Sequence, residues 1–218
     1  MKLLARAMIA LSALLPLACS AAEAPPKYQL GRDYKAVRAV QPTSDPDKIE
    51  VMEVFAYSCP HCFQFEPALS AWLDKKPADV NFLRIPHTLG SEANELRNRA
   101  MFTAHLMGQF DKFHRALFGA IHGGGKLMSS TEDLRTLFTT ATGVPAADFD
   151  GVYKSFPIDG RVRAAEQVIE QMGITSVPGM IVEGRYWVSP RAGGGSKEML
   201  AVTDFLVEQA RKERKKSR

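Results

Sequence analysis

The sequence from Val51 to Cys62 is VMEVFAYSCPHC, an apolar run followed by two cysteines that are separated by two residues. The run is rich in β-branched and aromatic residues, which predicts a buried strand. Pro60 suits the first position of a helix, because that position needs no backbone N–H donor. We therefore expect a strand that delivers a Cys-x-x-Cys pair to the first turn of a helix.

This placement predicts different roles for the two thiols. Cys59 would cap the helix, with its sulfur facing the free N–H groups and the positive dipole of the first turn. His61 adds a polar neighbour that favours the thiolate. Cys62 lies one turn into the helix and should be more buried. The spacing thus predicts that Cys59 is the reactive thiol and Cys62 the resolving thiol that closes a disulfide on it.

Two other uses of a Cys-x-x-Cys pair fit the sequence less well. A zinc site needs two more ligands at paired spacing, but Cys19 is the only other cysteine and the histidines are scattered. Covalent haem attachment needs a histidine directly after the second cysteine, where this chain has Phe63. Dithiol redox chemistry without a metal is the interpretation that remains.

The first 22 residues have the features of a secretory signal. Two basic residues precede an apolar run at positions 8–17, and small residues follow at 20–22. The run is shorter than the roughly 20 residues that cross a membrane. Cleavage after Ala22 would remove Cys19 and leave a single cysteine pair. Lipid attachment at Cys19 is the alternative, although Pro16 stands where lipoprotein signals usually carry leucine.

Charge gives little indication of a nucleic-acid partner. The chain has 28 basic and 24 acidic residues, a formal net charge of +4. Much of the surplus lies at positions 211–218, which we interpret as a solvated helix end. Weak attraction of this tail to a membrane or to nucleic acid is the alternative.

Hydrophobic periodicity predicts a sheet interrupted by helices. The predicted strands lie at 34–40, 49–57, 80–85, 180–182 and 186–188. A helix is expected at 60–76, only helices from Ser91 to about Met172, and a last helix at 197–212. A helical block between two halves of a sheet predicts an α/β fold with an inserted helical domain.

Glu53 and Pro178 are candidate site residues with two interpretations each. Glu53 is a carboxylate in an apolar strand, so it is either buried with a partner, for which Arg84 is the candidate, or on an edge strand facing water. Pro178 opens a predicted strand, and most such prolines are trans. The four histidines outside the motif form no constellation, and we interpret them as surface or packing residues: His87, His105, His114 and His122.

Together these segments resemble the DsbA family, periplasmic thiol:disulfide oxidoreductases whose thioredoxin fold is interrupted by a helical domain. The resemblance covers the chain after the signal. It rests on residues 53–57, on CPHCFQFE at 59–66, and on VPGM at 177–180 with VEGRY at 182–186. It implies a signal peptide at 1–22, thioredoxin segments at 23–90 and 161–218, and a helical insertion at 91–160.

The resemblance also implies how a substrate peptide is held. Pro178 matches the family's cis-proline, which faces the active cysteines and, with Val177, offers backbone pairing to a substrate peptide. Tyr57-Ser58 before Cys59 and Gly179 after Pro178 depart slightly from the family's pattern and would alter the shape of this groove and the choice of partner.

Further roles are implied for the charged residues. Glu53 matches a buried acid that assists proton transfer at the resolving cysteine, here Cys62. Glu66 matches a second charged residue near the site, and Arg84 stands where the family often has lysine.

The Pro60–His61 dipeptide resembles the oxidising branch of the superfamily. The implied reaction donates the Cys59–Cys62 disulfide to reduced, unfolded exported proteins through a mixed disulfide at Cys59. A DsbB-like membrane quinone reductase would then reoxidise the protein, with no bound cofactor. The implied location is the periplasm, and we expect a monomer. The alternatives are an exported disulfide isomerase or reductase, or a non-catalytic module that binds a metal or a peptide.

Overall fold

The computed structural model describes residues 26–190 and 194–216. The predicted signal peptide, including Cys19, lies outside the described residues, as does the end of the basic tail. Among the helices of the described ranges, none is long and apolar enough to cross a membrane.

Five strands and seven α-helices are found in these ranges. In chain order they are β1 (Lys35–Ala36), β2 (Ile49–Phe55), α1 (Pro60–Leu73), β3 (Val80–Pro86), α2 (Glu92–Leu106), α3 (Phe110–Phe118), α4 (Thr131–Thr142), α5 (Ala146–Tyr153), α6 (Phe156–Met172), β4 (Gly179–Val182), β5 (Tyr186–Val188) and α7 (Ser196–Lys216). A short π-helix, Gly119–Gly123, continues α3.

The strands form one mixed sheet in the order β1-β5-β4-β2-β3. Strand β2 pairs in parallel with β3 and antiparallel with β4, so it has a neighbour on each side. Every residue of β2 is buried, as its continuous apolar sequence predicts. In this register Glu53 lies opposite Arg84 on β3 and Met180 on β4.

Helices cover both faces of the sheet. On one face Val51 packs with Phe65 of α1 and Leu206 of α7. On the other face Val54 packs with Ile169 of α6. This layered arrangement, with helices α2 to α5 between the two halves of the sheet, confirms the predicted thioredoxin fold with inserted helices.

The end of β2 enters a separate, helical core. Phe55 and Tyr57 are fully buried among residues of helices α2 to α5, such as Phe113 and Phe138. Cys62 belongs to the same cluster. The segment that leads to the cysteine pair therefore lies where the sheet meets the helical domain.

Several elements differ in their bounds from the sequence predictions. Strand β1 has two residues rather than seven, because the N–H of Arg38 donates to the carbonyl of Met172 at the end of α6 instead of joining the sheet. Periodicity predicts that the helix from Phe110 ends at Ile121, but α3 ends at Phe118 and the π-helix begins at Gly119. Helix α6 runs through position 160, so the expected boundary between the helical insertion and the second thioredoxin segment falls inside a helix. The division of the chain into domains stays a prediction.

Candidate active site

Cys59 caps the N-terminus of α1, as the sequence predicts. Its backbone is extended (φ −86°, ψ 115°), and Pro60 takes the first helical position. The backbone N–H of Cys62 donates to the Cys59 Sγ at 3.4 Å. The same sulfur lies 3.8 Å from the carbonyl oxygen of Val177. Both cysteines are free thiols in this structure.

These contacts make the Cys59 thiol acidic. A hydrogen bond from the Cys62 thiol is the largest cause, and the N–H groups of Cys62 and His61 and the charge of His61 act in the same direction. Partial burial opposes them, and the resulting pKa of Cys59 is about 6. At neutral pH most of this half-buried thiol is therefore a thiolate, the nucleophilic form of cysteine.

Cys62 has the opposite properties. It is 0% exposed, and this burial raises the pKa of its thiol far above the ordinary value. The hydrogen bond with Cys59 and the charge of Glu53 add to the increase in pKa. The two thiols of the motif are therefore chemically distinct, one ionised and accessible, the other protonated and enclosed.

The Val177–Pro178 peptide bond is cis. The prediction of a trans bond from the residues alone is wrong, whereas the resemblance to the DsbA family implied the cis form. Val177 packs against the cluster that contains Cys62, and Pro178 directly precedes β4. This loop and the first turn of α1 thus lie side by side at the reactive sulfur.

Glu53 is buried in the sheet, so its interpretation as a water-facing edge residue is wrong. It is 0% exposed, and its Oε2 accepts a hydrogen bond from Arg84 Nε at 2.8 Å. Its other oxygen, Oε1, has no hydrogen-bond partner among the described residues. Burial raises the pKa of Glu53 to about 8, although the positive charge of Arg84 acts against this increase.

A chain of polar contacts continues from Arg84 into the helical domain. Arg84 Nη2 lies 3.4 Å from Glu66 Oε2, and Glu66 Oε1 lies 3.2 Å from His114 Nε2. Burial acts to raise the pKa of Glu66, but His114 and Arg84 outweigh it and hold that pKa below the ordinary value. Burial lowers the pKa of His114, which favours its neutral form despite the carboxylate beside it.

Two histidines of the helical domain hold Tyr57, which lies two residues before Cys59. The Tyr57 hydroxyl and His114 Nδ1 are 2.8 Å apart. His122 Nε2 lies 2.9 Å from the Tyr57 carbonyl oxygen, and its ring stacks on Phe63. We call these contacts the tyrosine clamp.

The interpretation of His114 and His122 as surface or packing residues did not include their polar partners. His114 and His122 are eight positions apart, about two helical turns, which places them on one face of α3 and its continuation. That spacing was the available signal. His87 also has a polar partner, because its Nδ1 lies 3.3 Å from Glu166 Oε2. His105 makes a ring contact with Phe110, in agreement with a packing role.

The described residues contain no cluster of three or more His, Cys, Asp or Glu side chains that could hold a metal ion. The arrangement instead pairs an activated thiolate with a buried resolving thiol, beside a buried acid. This combination can exchange a disulfide with another molecule.

Comparisons with known proteins agree with this chemistry. Residues 82–206 match the DSBA-like thioredoxin domain family. The thiol:disulfide interchange protein DsbA of Pseudomonas aeruginosa is 36% identical over 214 residues, covering 98% of this chain and 99% of the relative. DsbA of Azotobacter vinelandii is 36% identical over 211 residues, covering 96% of this chain and 98% of that protein.

Solved structures give the same result. The crystal structure of Pseudomonas aeruginosa DsbA superposes with a TM-score of 0.81 at 35% identity, covering 86% of this chain and 97% of the other. The oxidoreductase DsbA from Xylella fastidiosa gives 0.76 at 30% identity, covering 82% and 95%. With its fold, its family match and its near full-length relatives in agreement, the chain belongs to the DsbA family of thiol:disulfide interchange proteins and is a disulfide oxidoreductase.

Proposed function

We propose that this oxidoreductase works as a periplasmic oxidant, donating the Cys59–Cys62 disulfide to reduced exported proteins. The observation that carries the proposal is the difference between the two thiols. Cys59 is half-buried with a pKa of about 6, whereas Cys62 is enclosed with its pKa strongly raised. A stable Cys59 thiolate favours the reduced form of the pair, and this makes the disulfide form a better oxidant.

The reaction proceeds in two exchanges. A substrate thiolate attacks the Cys59 sulfur, the Cys59–Cys62 bond breaks, and its electron pair leaves on Cys62, which takes up a proton. A second substrate thiolate then attacks the substrate sulfur of this mixed disulfide and expels Cys59 as a thiolate. Two substrate thiols thereby lose two electrons and become a disulfide, while the protein's disulfide becomes a dithiol.

Accessibility supports Cys59 as the sulfur that is attacked. Cys62 is 0% exposed, and a substrate cannot reach it without displacing its surroundings. The low pKa of Cys59 also makes it the better leaving group in the second exchange.

Glu53 supplies the proton for the first exchange in this proposal. With a pKa of about 8 it is mostly protonated at neutral pH, and its charge influences Cys62. It gives its proton as Cys62 leaves and takes a proton back when the pair is reoxidised. Arg84 fixes the orientation of Glu53 through its hydrogen bond, and Glu66 holds Arg84 from the other side.

Val177 and Pro178 form the substrate-binding loop in this proposal. The Val177 carbonyl lies beside the reactive sulfur, so a peptide strand paired with this loop would bring its cysteine within reach of Cys59. Backbone pairing of this kind binds peptides with little regard to their side chains.

The reduced protein needs a partner that removes two electrons. We propose a DsbB-like membrane quinone reductase, by analogy with the family, and a monomeric protein that uses no bound cofactor of its own. The predicted signal peptide would bring the chain to the compartment where such a partner works.

The redox potential tests the direction of the reaction. Purified protein is equilibrated with mixtures of reduced and oxidised glutathione, and its free thiols are trapped and counted. Dithiol proteins range from about −270 mV for thioredoxin to about −120 mV for DsbA, and we expect this protein between about −100 and −150 mV. A value near −250 mV would contradict the role of an oxidant.

A variant tests the assignment of the reactive cysteine. Cys59→Ser should abolish oxidation of a reduced substrate protein, because no disulfide can form. Unchanged activity in this variant would show that the site is elsewhere.

A further inference from the structure

A cavity of about 740 Å³ opens beside the reactive cysteine. It lies between the first turn of α1, the loop before β4, strand β5 and the segment that leads into β1. Its lining includes Arg32, Lys35, His61, Ser176, Val177 and Trp187. We call it the cationic cavity.

The ionisable side chains that line the cavity are all basic. They are Arg32, Lys35 and His61, and no carboxylate of the described residues lines it. Arg32 Nη2 lies 2.6 Å from Asp33 Oδ2, so its charge is largely offset. Lys35 is exposed and makes no ion pair with any residue of the described ranges. The cavity therefore has a net positive charge, with Lys35 as its main source.

The cavity lies where the substrate reacts. His61 faces it from α1, and its charge acts on the Cys59 thiol. Val177 lines it from the other side, and the carbonyl of Val177 is 3.8 Å from the Cys59 sulfur. In a peptide that pairs with Val177 and attacks this sulfur, the side chains next to the cysteine would therefore lie close to the cavity.

We propose that the cationic cavity selects peptides that carry aspartate or glutamate within two residues of the reacting cysteine. The inference rests on the proposed function and names the substrate class that this site favours. Acidic side chains match the unpaired charge of Lys35, and basic side chains meet like charge.

The attraction would offset the lower reactivity of cysteines in acidic peptides. A carboxylate next to a cysteine raises the pKa of that thiol and lowers the fraction present as the attacking thiolate. The positive charge of Lys35 attracts such a peptide and partly neutralises its carboxylate. Exposed charge pairs of this kind change an equilibrium by about two- to fivefold, and salt weakens them.

The test uses three peptides that each contain one cysteine and differ only in its neighbours, which are aspartate, asparagine or lysine. The rate at which each peptide reduces the protein's disulfide is measured. It is divided by the rate at which the same peptide reduces a small neutral disulfide. This ratio removes the differences that arise from the thiol pKa of the peptides. At low ionic strength we expect the aspartate peptide to exceed the lysine peptide about two- to fivefold in this ratio. The preference should shrink towards unity at high salt.

Charge-reversal variants locate the source of the preference. Lys35→Glu should reverse it. Lys212→Glu makes the same change on an exposed lysine near the end of α7 and should keep the wild-type preference. That end of α7 lies near the start of β2, because Arg214 donates to the carbonyl of Lys48, whereas Cys59 follows the opposite end of the strand.

Two results would overturn the inference. One is a normalised rate for the aspartate peptide that does not exceed that for the lysine peptide in the wild type. The other is an equal loss of preference in Lys35→Glu and Lys212→Glu, which would indicate that the overall charge of the protein, and not the cavity, causes the preference. If none of the peptides reduces the disulfide, the proposed function fails instead.

Discussion

At the scale of single residues, the carboxyl group of Glu53 is costly to the fold. One oxygen is bound by Arg84 and the other has no partner among the described residues, in a place without exposure to water. Its pKa of about 8 means that the folded protein keeps a proton that the unfolded chain releases at much lower pH. The cost is tolerable for a group that must exchange protons with Cys62 in the proposed reaction.

We predict that the free energy of unfolding depends less on pH in Glu53→Gln than in the wild type. The unfolded carboxyl has a pKa of about 4.3, so the stability linked to Glu53 is present in full below that pH. It is lost as the pH rises towards the folded value of about 8, by up to about 1.4 kcal/mol per pH unit. Urea unfolding of both dithiol proteins between pH 5 and pH 8, roughly the span of this titration, measures the effect.

The comparison isolates Glu53, because Cys59 titrates in both proteins. The free energy of unfolding of the variant should gain on that of the wild type as the pH rises. Arg84 keeps Glu66 as a partner in the variant, which limits other losses. Parallel stability curves for the two proteins would contradict the raised pKa.

At the scale of elements, the tyrosine clamp connects α3 and the π-helix to the segment between β2 and α1. Burial strongly raises the pKa of the Tyr57 hydroxyl, which therefore keeps its proton. The Glu66 carboxylate beside Nε2 favours the tautomer of neutral His114 with its proton on Nε2, so that Nδ1 accepts from Tyr57. The His114 Nε2–H then faces the Glu66 carboxylate at 3.2 Å. The helical domain thereby fixes the position of the chain that enters the cysteine motif.

We expect Tyr57→Phe to lower the free energy of unfolding by about 1–3 kcal/mol, because it leaves a buried acceptor on His114 without a donor. Tyr186→Phe is the control, at a partly exposed tyrosine. Its hydroxyl makes no hydrogen bond with a described residue, so the same deletion should cost about 0.5 kcal/mol or less. Chemical denaturation measures both.

A double-mutant cycle separates the pair from its surroundings. If Tyr57→Phe and His114→Leu break the same interaction, the double variant should be more stable than the sum of the single losses implies. Strictly additive losses would mean that the two side chains do not interact.

Short-range patterns predicted most of these elements, and long-range contacts account for what was missed. Pro60 and the cysteine spacing were enough to place the helix cap. The strand predicted at 186–188 from its apolar sequence has the same bounds in the structure. The partners of Tyr57 lie 57 and 65 positions away, so no local pattern indicates them. The burial of Glu53 likewise depends on which strands flank β2, and the sequence left both possibilities open.

At the scale of the whole molecule, folding and redox state are coupled through Cys59. Only the dithiol form contains a thiol that can ionise, and folding lowers its pKa from 9.0 to about 6. The resulting stability is present in full above the unfolded value and is lost as the pH falls through about 6. The disulfide form has no such dependence from this residue.

We therefore predict that the dithiol form gains stability over the disulfide form as the pH rises from about 6 to 8. Because Cys59 is only half-buried, solvent screening limits the gain at pH 7 to about 1 kcal/mol. Guanidinium unfolding of both forms across this range provides the measurement. A Cys59→Ala variant lacks the titrating thiol and forms no disulfide, so the wild-type dithiol form should also gain stability over this variant across the same range. A difference between the two wild-type forms that does not change with pH would contradict the coupling.

The topology of the sheet also sets an order of assembly during synthesis. Strand β4 pairs with β2 along its second edge, and the backbone N–H of Glu50 donates to the carboxylate of Glu183, 133 positions later. A ribosome makes both cysteines long before it makes the loop at Val177 and its strand, and contacts of such long range form late. A nascent chain that has not reached β4 thus lacks one neighbour of β2 and the Val177 loop that lies beside the Cys59 sulfur, so the complete site forms only when the end of the polypeptide has been made.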